Sequence, residues 1–141
     1  MRERGLENMT KGVAASIPKA LHTASRLLCD DNSGARIVQI IGVLGWHGDR
    51  AQYQSAGIGN VVIVAVKKGS PQMKKKVERA LIIRQKKEFR RANGLRVKFE
   101  DNAAVLVDDQ GLPKGTEIKG AIAREVAECF PKVAAIAAAV V

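Results

Sequence analysis

Lys67 to Lys98 reads KKGSPQMKKKVERALIIRQKKEFRRANGLRVK, and the rest of the chain is organised around this stretch. It holds 13 of the 24 Lys and Arg but only two of the 14 acids, Glu78 and Glu88, a net of +11 where the whole chain carries +10. Inside it Ala80-Leu81-Ile82-Ile83 is an apolar run that reads as a strand with basic arms on both sides. Strand side chains alternate, so with Leu81 and Ile83 held by a core, Ile82 and Arg84 fall on the opposite face. A buried strand that holds two basic arms in place can grip a polyanion, of which nucleic acid is the usual one. The competing reading is a solvated basic face kept for solubility, a purpose that does not require segregated charge.

Composition narrows the classes. A chain of 141 residues is expected to form one domain with a real core. Aromatic residues make up only 4%, which argues against a surface that stacks single-stranded bases. A pI near 10 with clustered charge favours a phosphate backbone as partner over a membrane. The cationic stretch also lacks the amphipathic helical period of a segment that lies on lipid. Cys29 and Cys129 belong to no CxxC pattern and read as buried free thiols of a reducing cytosol, with one long-range disulfide left open. Arg2, Glu3, Arg4 and Glu7 interrupt any secretory core, and the apolar run from Val133 to Val141 falls short of a membrane span. The expected location is cytosolic.

In chain order, residues 1–22 read as a largely irregular N-terminal arm, and residues 23–141 as one domain. Strands are expected over Thr23–Cys29, Arg36–Leu44, Val61–Val66, Val77–Arg84 and Ala103–Val107. The Asp30-Asp31-Asn32-Ser33-Gly34 turn follows the first of them, and a Gly45–Gly59 loop carries Trp46, His47 and Tyr53. Lys67–Lys76 reads as loop or edge because of Gly69 and Pro71. Gln85–Lys98 reads as an extended hairpin with a type I′ turn at Asn93-Gly94. Regularly spaced short strands predict a mainly β fold, a small antiparallel barrel. The Ala-rich segments Ile118–Glu128 and Pro131–Val140 predict short C-terminal helices within 119–141, Pro131 being suited to a first helical position.

These residues carry a resemblance. Ala80-Leu81-Ile82-Ile83, Asn93-Gly94, Phe99, Asn102 and Val105-Leu106, at their spacing, are similar to the signature of the universal fourteenth protein of the large ribosomal subunit, in its archaeal and eukaryotic branch. Asp31-Asn32-Ser33-Gly34-Ala35, Ala56-Gly57-Ile58-Gly59, Val66-Lys67-Lys68-Gly69, Phe99 to Val105 and Lys114-Gly115-Thr116 agree with it. The resemblance runs from about Lys11 to the C-terminus; Trp46 and Asn60 depart from the common pattern, and Met1–Thr10 match nothing in it. It implies a five-stranded β-barrel with a basic hairpin and short C-terminal helices. It further implies binding to large-subunit rRNA, contact with small-subunit rRNA at an inter-subunit bridge, and neighbouring ribosomal proteins as partners.

The residues expected to meet RNA are Lys67, Lys68, Lys74, Lys75, Lys76, Arg84, Lys86, Lys87, Arg90 and Arg91. They would act as phosphate contacts that hold position and not as readers of base identity. Asp31-Asn32-Ser33-Gly34 reads as a structural turn, and Asn102 as a tie for a strand turn. Catalytic readings find no assembly: Gly57-Ile58-Gly59 lacks a third glycine, and Lys114-Gly115-Thr116 reverses the Gly-Lys order of a phosphate loop. His22 and His47 have no partner at ligand spacing, so neither a metal nor a cofactor is expected. Ser33 and Ser70 have no histidine at a readable spacing. The leading expectation is a non-catalytic ribosomal constituent, and the rival is a free-standing RNA-binding module.

Overall fold

The computed structural model describes residues 15–45 and 54–141. Trp46, His47, Tyr53 and most of the expected N-terminal arm lie outside the described residues. Among the described residues, twelve strands and two short helices follow in order: β1 Ala15–Ser16, β2 Leu21–His22, β3 Arg26–Cys29, β4 Ala35–Val43, β5 Ser55–Ala56, β6 Val61–Gly69, β7 Val77–Arg84, β8 Phe89–Arg91, β9 Arg96–Val97, β10 Ala103–Val107, β11 Ile118–Ile122, α1 Arg124–Cys129, α2 Pro131–Ala135 and β12 Ala137–Val140. Strands β10, β3, β4, β6 and β7 close into a five-stranded barrel. Four of its pairings are antiparallel, and the barrel is sealed by a parallel one between β3 and β10.

Residues paired across a ladder share a face, so the register identifies the barrel interior. Leu27 faces Val38, Val38 faces Val66, Ile40 faces Val64, and Val62 faces Ala80, which faces Leu106. All of these are almost free of solvent, and Ile82, opposite Ala104, belongs with them. The opposite face carries the exposed Arg26 and the 45% exposed Leu28, so it points outward. The expected assignment of β7 is therefore reversed: Ala80 and Ile82 fill the barrel, whereas Leu81 and Ile83 lie outside it. Both pairs are nonetheless buried. A four-residue apolar run has no polar alternation to reveal its faces, which is why the sequence misassigned them.

Other departures have similar causes. β6 continues through Lys67 and Lys68 to Gly69, because Lys68 and Gly69 still pair with Ile37 and Ala35 of β4. The described end of the arm carries two short strands, β1 pairing with β8 and β2 with β5, with residues 17–20 irregular between them. Their partners lie far away in sequence, so no local pattern announces them.

The C-terminal region is not all helical. Pro131 does open α2, but helix occupies only α1 and α2, and these are flanked by β11 and β12, which pair in parallel. Alanine's helix propensity yields to burial of Ile118 and Ile122. It also yields to backbone ties of β11 to the β3–β4 turn, where Lys119 N–H donates to the Asp30 carbonyl at 2.9 Å. Gly120 sits where a Cβ would run into the Arg84 guanidinium and come within 2.8 Å of Asp30 Oδ2. Over β7 the unit is anchored by Ala123 N–H, which donates to the Ile83 carbonyl at 3.3 Å. Val126, Phe130 and Val133 complete the apolar layer. Gly120→Ala should cost about 1–3 kcal/mol in chemical denaturation, the range for overpacking a close-packed site; an unchanged midpoint would show that Arg84 swings aside freely.

Candidate nucleic-acid interface

The basic hairpin is short. Phe89 pairs with Val97 and Arg90 with Arg96. At the tip Gly94 N–H donates to the Arg91 carbonyl at 2.9 Å, and Arg91 N–H donates to the Leu95 carbonyl at 2.8 Å. Gly94 has φ +87° whereas Asn93 is not among the positive-φ residues. A type I′ turn needs positive φ at both central residues; this is instead a three-residue loop ending in a left-handed glycine. Asn93 Oδ1 accepts from Leu95 N–H at 3.0 Å and stabilises that form.

The base of the hairpin is fixed by Gln85, which is fully buried. Its Oε1 accepts from Ile58 N–H at 3.3 Å, and its Nε2 donates to the carbonyls of Pro18 and Lys87 at 3.3 and 3.2 Å. One amide thus joins the end of the N-terminal arm, the Ala56–Gly59 segment and the hairpin entry. Asn102 Oδ1 accepts from Lys86 N–H at 2.8 Å, a tie beside the strand turn. Lys86, Lys87 and Arg90 project from this frame and are exposed.

Two predicted contacts are placed inward. Arg84 Nε and Nη2 donate to Asp101 at 2.8 and 3.0 Å, Nη1 donates to the Ala121 carbonyl at 2.8 Å, and Nη2 also pairs with Asp30. Its side chain is only 8% exposed. Burial alone would lower its pKa; the hydrogen bonds and charges of Asp101 and Asp30 outweigh that and raise it above the ordinary arginine value. The register of β7 shifts at Ile83, since Ile82 pairs with Ala104 and Arg84 with Ala103, so Arg84 leaves the barrel-facing row of Ile82 and meets β11. Arg91 forms a two-pronged pair with Glu125 of α1 at 2.7 and 3.2 Å, and its Nη2 donates to the Val141 carbonyl at 2.6 Å. It ties the hairpin to the end of the chain. Neither Glu125 nor Asp30 was legible as a partner, because each lies more than 30 residues from its arginine.

At the other end of β7, Lys67, Lys68, Lys74, Lys75 and Lys76 are all exposed. The loop that carries them is held by Lys75 N–H to the Val66 carbonyl at 3.0 Å and Val66 N–H to the Lys76 carbonyl at 2.9 Å. Lys75 itself sits at φ +69°. β7 is eight residues long, so the two basic groups are roughly 25 Å apart. They are two patches on a rigid spacer, not one clamp around a strand. Of the 13 cations in the stretch, Arg79, Arg84, Arg91 and Arg96 are in ion pairs. The remaining nine, all lysines except Arg90, have no ion-pair partner among the described residues.

The turn residues are structural, as read. Asp31 is buried; its Oδ1 accepts from the Ser33 hydroxyl at 2.6 Å and the Cys29 thiol at 3.1 Å, and its Oδ2 accepts from Leu106 N–H at 3.0 Å. Asn32 exchanges two hydrogen bonds with Thr116, at 2.6 and 2.8 Å, which explains the Lys114-Gly115-Thr116 segment as a docking loop. Cys29 and Cys129 are free and half-buried. Among the described residues no group of three or more His, Cys, Asp and Glu could hold a metal ion, and no helix is long and apolar enough to cross a membrane.

Two outcomes are expected. Arg84→Met strands Asp30 and Asp101 and should lower stability by about 3–5 kcal/mol, read from the denaturant midpoint; a loss below 1 kcal/mol would show those carboxylates to be adequately solvated. Burial, then the charge of Asp31, pushes the Cys29 thiol up to about 12. Since the thiolate is the nucleophile, alkylation of Cys29 by iodoacetamide at pH 8 should be at least about a hundredfold slower in the native protein than in the unfolded chain. Equal rates would contradict this environment.

Residues 20–141 match the family model described as ribosomal protein L14p/L23e. The chain is 53% identical over 131 residues to the large ribosomal subunit protein uL14 of Methanocorpusculum labreanum, covering 93% of this chain and 99% of the relative. Its identity to the proteins of the same name from Methanoregula boonei and Methanothrix thermoacetophila is 55%, with the same coverage. A closed five-stranded barrel with the expected motifs, matched over nearly its whole length, leaves one assignment: the chain belongs to the ribosomal protein L14p/L23e family.

Proposed function

We propose that the chain serves as a structural constituent of the large ribosomal subunit in the cytoplasmic ribosome, where it binds large-subunit rRNA through its exposed cations and reaches small-subunit rRNA at the subunit-joining face. Its family is non-enzymatic, and its role is mechanical and electrostatic. The observation that carries the RNA reading is the set of nine cations, without ion-pair partners among the described residues, held at the two ends of β7. Lysine side chains on a rigid strand and a pinned loop present point charges at fixed spacing, and RNA phosphates neutralise them with release of counterions. Two patches roughly 25 Å apart suit two separate RNA segments, which supports a bridging position.

Within this reading the phosphate contacts are Lys67, Lys68, Lys74, Lys75, Lys76, Lys86, Lys87 and Arg90. Arg84 and Arg91 hold the platform from within. The exposed outer surface of β12, with Val140 and Val141 about half exposed, supports a neighbouring ribosomal protein as a further contact.

The test is the salt dependence of rRNA binding by the purified chain. Replacing Lys86, Lys87 and Arg90 together with Gln should reduce the slope of log Kobs against log salt by about two to three units, since each lost contact releases roughly one counterion fewer. An unchanged slope would remove the hairpin from the RNA interface. If the protein sedimented apart from large subunits at physiological salt, the free-standing RNA-binding module would replace the ribosomal reading.

A further inference from the structure

Between the β3–β4 turn and the β6–β7 loop lies an open groove of about 700 Å³, lined in part by Arg36, Lys68, Lys74 and Lys119. These four cations come from β4, β6, the β6–β7 loop and β11, and two of them, Arg36 and Lys119, lie outside the basic stretch. All four are exposed, and none has an ion-pair partner among the described residues. The acid in the groove wall, Asp31, is turned inward, with both oxygens accepting hydrogen bonds from protein donors. Its oxygens are therefore engaged within the protein, and the four cations outnumber it at the groove.

The floor is backbone. A Cβ on Gly69 would lie 2.6 Å from the Gly34 carbonyl oxygen and 3.0 Å from Ala35 Cα, so the two segments meet without side chains between them. Lys75, at φ +69°, closes the loop that carries Lys74, and that loop is tied to the turn where Ser70 N–H donates to the Gly34 carbonyl at 2.9 Å. A left-handed, non-glycine residue persists only where its surroundings hold it, and such residues cluster at ligand sites. The result is a preformed trough, closed at the bottom and rimmed by positive charge.

We infer that this groove is a discrete docking site for the phosphodiester backbone of an RNA segment, separate from the hairpin patch, with Arg36 and Lys119 as contacts alongside Lys68 and Lys74. This deepens the RNA-binding reading above and rests on it. Four cations around an open trough match successive phosphates on one strand. Arg36 supplies a planar fork for two phosphate oxygens, and the lysines supply point charges. Contacts of this kind fix position and read no sequence.

The experiment compares salt slopes of the full-length chain binding large-subunit and, separately, small-subunit rRNA transcripts. Arg36→Gln with Lys119→Gln should reduce the slope by about one to two units on at least one transcript, and Lys68→Gln with Lys74→Gln should do the same. Both double variants change exposed side chains, so their unfolding midpoints should equal that of the parent. In the hairpin variant at Lys86, Lys87 and Arg90, the further loss on adding Arg36→Gln and Lys119→Gln should be additive. If both groove variants keep the parent slope while the hairpin variant loses it, the groove proposal is overturned and RNA binding stands. The groove is then left to an acidic protein segment. If the parent chain binds neither transcript, the RNA reading and the groove fall together.

Discussion

Arg84 is the buried charge on which the architecture depends. Its guanidinium reaches Asp30 at the end of β3, Asp101 before β10 and the Ala121 carbonyl of β11, so one side chain joins the barrel seam to the C-terminal unit. Gly120 is glycine because that cation occupies the space a side chain would need. An ion pair of this sort adds little net stability over an apolar substitute, but removing one partner is costly, so it specifies one arrangement. Through β11 the same contact joins the unit of the buried Ile118, Ile122 and Val126 to the end of β7, where Ala123 N–H donates to the Ile83 carbonyl at 3.3 Å.

The division of labour between the two basic residue types follows from their chemistry. Four of the arginines in the stretch are bound in ion pairs, where a planar fork matches carboxylate oxygens and is weakly hydrated. The lysines stay in solvent, where a compact, strongly hydrated charge on a flexible stem costs little to display. Arg91 shows the consequence for geometry. By pairing with Glu125 and the Val141 carbonyl, it makes the hairpin and the chain end one body. Arg90, its neighbour, is left outward because successive strand residues point to opposite sides.

Two amides and the buried Asp31 carboxylate complete the platform. Gln85 links three segments through one side chain, and Asp31 and Asn32 fasten the β3–β4 turn to β10 and to the Thr116 loop. Their side-chain groups are satisfied by backbone and side-chain partners, which makes the turns rigid and lets the loop lysines keep fixed positions. Long lysines need such a base if their charges are to match phosphates at a set spacing.

By itself the sequence determined that the chain is a β-barrel, that its charge is concentrated in one stretch, and that the stretch contains a buried strand. Apolar β-rich runs at regular spacing, turn signals such as Asp31-Asn32-Ser33-Gly34, and segregated lysines are local patterns and can be read locally. Only the tertiary structure decided which face of Ala80-Leu81-Ile82-Ile83 lines the barrel, because that run is apolar on both sides. It also decided that β11 and the Ala-rich β12 are strands, since pairing and burial of Ile118 and Ile122 outweigh helix propensity. Most of all it separated the cations by use. Asp30 and Glu125 are distant in sequence from Arg84 and Arg91, and Arg36 and Lys119 are distant from Lys68 and Lys74. Pairing a charge or grouping it with others depends on distances in space, which close only when the barrel and its C-terminal unit pack together.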